Sequence, residues 1–182
     1  MIKQSLLAAL LLTAPAPAFA KDETPAADPA RLKASVQKLV SFGTRHTLSS
    51  ATDPKRGIGA ARNWGATEFE RISRACGGCL KVERIADRFE GPRAPAGVIV
   101  ENVLAIQPGS GDPAHVIMIA GHIDSRVTDP MNFTADAPGA NDDASGTALV
   151  IEAARLLSKQ KHRATIVYAL LSGEEQGLWG GK

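Results

Sequence analysis

Two stretches decide the fold: His115-Val116-Ile117-Met118-Ile119-Ala120 and Thr165-Ile166-Val167-Tyr168-Ala169-Leu170-Leu171. Each is an unbroken apolar run of strand length, rich in β-branched residues, with no alternation of polar and apolar positions. Such runs are the pattern of strands covered on both faces. Between them Leu149, Ala153, Leu156 and Leu157 recur at helical spacing, which predicts a helix from about Ala144 to Ser158. Strand, helix, strand is a βαβ unit. The two strands are therefore expected to be parallel, joined by a right-handed crossover, and to lie in the middle of a covered sheet.

Working outward, Leu80 to Phe89 and Val98 to Ile106 read as two further strands, joined through Gly91-Pro92 and Pro95. Their closeness in sequence makes them antiparallel neighbours. Asp28-Pro29 looks like an N-cap and a first-turn proline, followed by Leu32, Val36, Leu39 and Val40 at helical spacing, with Gly43 as the stop. A second helix is predicted from about Gly57 to Cys76, with Phe69, Ile72 and Cys76 on its buried stripe and Gly77-Gly78 ending it. The fold class is α/β: a three-layer sandwich around a mixed, centrally parallel β-sheet. No internal repeat or second domain is visible.

Apolar residues make up 44% of the chain and charged residues 22%, a globular rather than a disordered composition. The formal net charge is +2 with no long basic run, so nothing in the charge pattern points to nucleic acid or to an anionic membrane surface. Met1-Ile2-Lys3, the apolar run Leu6 to Leu12, and Ala18-Phe19-Ala20 before Lys21-Asp22-Glu23 form a secretory signal peptide over residues 1–20. An uncleaved anchor is the alternative. Residues 21–28 are expected to be a flexible mature N-terminus, and 29–182 the folded part. No other stretch is apolar enough to cross a membrane, so no membrane association is expected after cleavage, and the product is expected in the periplasm or secreted. In an oxidising compartment Cys76-Gly77-Gly78-Cys79 favours a small local disulfide; free thiols, or a redox or metal pair, are the alternatives.

In open α/β sheets, ligands bind beyond the carboxyl ends of the strands. The first apolar strand exits into Gly121-His122-Ile123-Asp124-Ser125 and the second into Ser172-Gly173-Glu174-Glu175-Gln176-Gly177. Pro138-Gly139-Ala140-Asn141-Asp142-Asp143-Ala144-Ser145-Gly146 opens the crossover helix between them. One imidazole and up to five carboxylates thus gather on one sheet edge, where they repel one another unless protons or cations offset them. A divalent metal pair is the economical answer. Each element alone has a plainer reading: an incidental His-x-Asp, an aspartate pair capping a helix, a solvated glutamate turn. Together, in this order and on these elements, they point to a metal site.

These three motifs, Gly121-His122-Ile123-Asp124-Ser125, Ala137 to Gly146 and Gly173-Glu174-Glu175-Gln176-Gly177-Leu178, resemble the M28 family of zinc aminopeptidases. Leu39 to His46 also resembles the N-terminal region of bacterial members. The resemblance implies a zinc-dependent exopeptidase fold and two Zn2+ per complete active site. His122, Asp142 and Glu175 would be metal ligands, with Asp142 bridging. Glu174 would be the general base, and Asp124 would orient the His122 ring. Asp143 would sit behind the ligands or hold the backbone at Asp142. His46 would have a structural hydrogen-bonding role, His162 would face solvent, and Arg126 and Trp179 lie near enough in sequence to line the site. The implied substrates are peptide or protein N-termini. The family pattern also needs an aspartate and a histidine ligand beyond Glu175. The resemblance therefore implies that 29–182 is the N-terminal part of a peptidase domain, truncated on its C-terminal side. A chain of this length is expected to bind zinc weakly and to show little or no peptidase activity. The other readings are a carboxypeptidase-like relative, a one-zinc glutaminyl cyclase, and a non-catalytic binding domain on the same scaffold.

Overall fold

The computed structural model describes residues 26–182. The expected signal peptide at 1–20, and 21–25 of the expected flexible stretch, lie outside the described residues. Helix α1 (Pro29–Val40) begins where the sequence places it: the Asp28 carboxylate accepts the Ala30 amide at 2.9 Å, and proline occupies the first turn. Helix α2 (Ile58–Ala75) buries Ile58, Ala61, Gly65, Phe69 and Ile72, one stripe at three- and four-residue spacing. Gly57, just before it, has φ +91°, and a Cβ there would stand 2.8 Å from the Ser50 carbonyl oxygen. The helix ends at Cys76, and Cys76 is disulfide-bonded to Cys79.

Strands β1 (Lys81–Gly91) and β2 (Ala94–Gln107) form a long antiparallel hairpin, paired from Lys81 with Ile106 to Phe89 with Val98. Strands β3 (Val116–His122) and β4 (Thr165–Leu171) are parallel, as the βαβ reading requires, with α3 (Ser145–Leu157) as the crossover. The sheet order is β1-β2-β4-β3, and β2 pairs antiparallel with β4, so the sheet is mixed. Val103, Ala105, Ile166, Tyr168 and Leu170 pack with Leu39, Ile58, Phe69 and Val150 from the helices into the main core. Burying each large apolar side chain there is worth about 1.5–3 kcal/mol.

The sheet is only partly covered among the described residues. β4 is central and buried, but β3 is the edge strand of the described sheet. Val116, Ile117 and Met118 are 50%, 47% and 58% exposed. Helices α1 and α2 each pack against α3, and residues of all three join one core on one side of the sheet. The further layer of the expected sandwich is not among the described residues. A strand's own residues report that both its faces suit burial; what covers them is decided elsewhere in the chain.

Candidate metal centre

β3 and β4 end level, His122 opposite Leu171, and the Ile123 amide donates to the Leu171 carbonyl at 2.8 Å. The loops carrying His122-Asp124 and Glu174-Glu175 therefore leave the sheet side by side. The third segment arrives from the crossover. Gly139, at φ +43°, turns the chain into the irregular turn Ala140–Ala144, whose Asp142-Asp143 peptide is cis, before α3 begins.

The side chains meet at the His122 ring. Its Nε2 lies 3.0 Å from Asp142 Oδ1 and 3.8 Å from Glu174 Oε2. Its Nδ1 faces Asp124, 3.3 Å from the backbone oxygen and 3.5 Å from the carboxylate. Burial opposes protonation of this ring. The hydrogen bond and charge of Asp124, with Asp143 and Glu174, outweigh it and hold the imidazolium up to about 9.

Asp124 is fully buried and does more than face the ring. Its carboxylate accepts the Thr47 hydroxyl at 2.9 Å and the backbone amides of Glu174 and Glu175, both at 3.2 Å. It therefore ties the β4 loop to the β3 loop. Asp143 performs a different task from its neighbour. Its Oδ2 accepts the His122 amide at 3.0 Å and its Oδ1 the Gly146 amide at 2.9 Å, which clamps the end of β3 to the start of α3. The plainer helix-capping reading thus applies to Asp143, while the 76%-exposed Asp142 side chain points to the His122 ring.

Glu175 is placed differently from His122 and Asp142. Its Oε2 accepts from Arg126 Nε at 2.7 Å, and its backbone oxygen accepts from Arg93 on the β1–β2 hairpin tip at 2.9 Å. Burial raises its pKa, more than the Arg126 charge lowers it, and the Asp142 and Asp124 charges push the same way as burial. Among the described residues, no three His, Cys, Asp or Glu side chains converge as a metal-holding group. The donors fit zinc in kind, imidazole nitrogen and carboxylate oxygen, but the described residues do not complete a ligand set.

Sequence reasoning missed several neighbours. Thr47 shows no periodicity or motif of its own. Arg93 reaches the site only because the hairpin folds back, with Phe89 stacked on Trp179 at 5.6 Å. Arg45 is 1% exposed and bonds only backbone carbonyls. Burial lowers its pKa to about 10, against the Asp124, Asp143 and Glu175 charges that raise it. His46 has the expected structural role: it is fully buried, accepting the Leu48 amide at Nδ1 (3.0 Å) and meeting the Pro130 carbonyl at Nε2 (3.1 Å). His162 is not simply solvent-facing. It is half-buried, and its Nε2 lies 2.9 Å from the Leu157 carbonyl, capping the last turn of α3.

The fold is one shared with solved bacterial glutaminyl cyclases and aminopeptidases. A Fimbriiglobus ruber glutaminyl cyclase superposes at TM-score 0.65 with 23% identity, over 89% of this chain and 50% of that one. A leucine aminopeptidase precursor from Bacteroides thetaiotaomicron superposes at TM-score 0.65 with 22% identity, over 84% of this chain and 49% of that one. In sequence, residues 102–182 match the model of peptidase family M28. A probable zinc metalloprotease of Pyricularia oryzae is 52% identical over 159 residues, 84% of this chain and 31% of the relative. At family level the chain is a relative of the M28 zinc metallopeptidases. It spans about a third of the length of the curated relatives it matches.

Proposed function

We propose that this chain carries the metal-binding rim of an exported zinc-dependent exopeptidase that removes residues from peptide N-termini. The observation that carries the reading is the 3.0 Å approach of His122 Nε2 to Asp142 Oδ1 at the carboxyl ends of two parallel strands, with Glu174 behind. His122, Asp142 and Glu175 are the residues that would hold zinc. Asp124 keeps the ring turned and both glutamate backbones in place. Bound zinc would supply Lewis acidity, acidifying water and polarising a carbonyl. Glu174, with no side-chain hydrogen bond among the described residues and a side chain 38% exposed, is free to take a proton from water and hand it to the leaving amine. The Cys76–Cys79 disulfide agrees with an exported protein, periplasmic or secreted.

Zinc titration of the chain tests the division of labour. His122→Ala is expected to weaken zinc binding by roughly tenfold or more, whereas Glu174→Gln leaves it within about twofold, because a base is not a ligand. Equal losses in the two variants would contradict the assignment.

A further inference from the structure

We propose that Arg45 is the positioning residue of this site: its guanidinium, through backbone carbonyls, and its amide, through the Ser125 hydroxyl, fix the Asp142 loop against the His122-Asp124 strand end. The inference rests on the site reading above. Nε donates to Ile123 O at 2.8 Å, inside the His122-Ile123-Asp124 triplet. Nη1 donates to Pro138 O at 2.8 Å and Nη2 to Gly139 O at 3.0 Å, the residues that launch the Asp142 turn. Nη1 also reaches Leu39 O at 3.3 Å, at the end of α1. Three separate segments are thus gauged by one planar fork.

The backbone of Arg45 repeats the link. Its amide donates to Ser125 Oγ at 3.2 Å, and that hydroxyl donates to Ala137 O at 2.7 Å. Gly139 O, the acceptor of Nη2, also accepts the Ala144 amide at 3.0 Å, so the fork and the turn share one atom. There is no slack to absorb a shift. A Cβ on Gly139 would lie 2.5 Å from Asp142 O and 2.6 Å from Ser125 Cβ. A buried arginine is costly where no carboxylate pairs with it. Here the Asp124, Asp143 and Glu175 charges offset that cost only in part, and the rigid five-donor fork does what a lysine's point charge does not.

Lysine at this position keeps the charge and loses the fork, so Arg45→Lys separates the two. In a variant that circular dichroism shows to be folded, Zn2+ affinity is expected to fall by roughly tenfold or more. Hydrogen exchange at the Ala144 amide is expected to quicken by a similar factor. A purely structural arginine would lower the melting temperature and leave the folded protein's zinc affinity alone. Should Arg45→Lys not fold, Ser125→Ala breaks the backbone link more gently and is read the same way. His122→Ala is the control for the site itself. If it leaves zinc affinity unchanged, the site reading fails, and the Ala144 exchange rate alone decides on Arg45. Zinc affinity within about twofold of wild type in a folded Arg45→Lys or Ser125→Ala would overturn the proposal, as would unchanged Ala144 exchange where the control has failed.

Discussion

Asp124 shows how one side chain can set a site without being its most visible member. It is fully buried, and it takes three donors: a hydroxyl from the segment after α1 and two amides from the loop after β4. Hydrogen bonds to a charged group are worth about 1.5–3 kcal/mol each, and a buried donor left unpaired costs a comparable amount. Asparagine keeps the shape but turns a donor towards donors. Asp124→Asn is therefore predicted to destabilise the chain by about 2–4 kcal/mol, and Thr47→Val by only about 1 kcal/mol, in urea unfolding. A smaller loss for Asp124→Asn than for Thr47→Val would remove Asp124 from this role. The motif residues were legible because their types are chemically specific: imidazole and carboxylates at the ends of two strands. Arg45 and Thr47 were not, because their importance lies in contacts with Pro138, Gly139 and Asp124, 77 to 94 positions away.

Among the elements, α1 and α3 are held together by a charged joint that no local pattern announces. Glu152 on α3 accepts the Asp28 amide, at the cap of α1, at 2.9 Å, and Arg155 Nε at 2.7 Å. The Arg155 hydrogen bond is the main reason its carboxyl lies below the usual 4.5, with the Asp28 amide adding to it against burial. A carboxyl whose folded pKa is depressed contributes stability above its unfolded value and loses it as pH falls through the folded one. Glu152→Gln is thus predicted to cost about 1–2 kcal/mol at pH 7. The gap to wild type begins to close below 4.5 and vanishes in stronger acid. Urea unfolding at both extremes checks this, and a gap that widens in acid would reverse the sign. Element boundaries themselves were legible where punctuation is strong: the Asp28-Pro29 start and the Gly77-Gly78 stop match the observed helices to within a residue or two.

In the molecule as a whole, the expectation that the described residues leave incomplete is the covering of β3. Its apolar run correctly identified a strand suited to burial on both sides, yet in the described structure it forms an edge. Its pairing with β4 was legible from the βαβ pattern, but nothing within Val116 to His122 specifies what covers its other edge. An apolar edge with unpaired backbone groups is a template for association. The 182-residue chain is therefore predicted to self-associate with rising concentration in sedimentation velocity, and Met118→Lys to reduce this. A wild-type chain that stays monomeric throughout would show that β3 is protected in a way the described residues do not reveal.

The most direct measurement is anomalous diffraction at the zinc absorption edge from a crystal of the protein equilibrated with Zn2+. The prediction is a zinc peak at bonding distance, about 2.0–2.2 Å, from both His122 Nε2 and an Asp142 carboxylate oxygen. A zinc peak that lies elsewhere and leaves this pair bonded only to each other would contradict the reading of the strand ends as a metal centre.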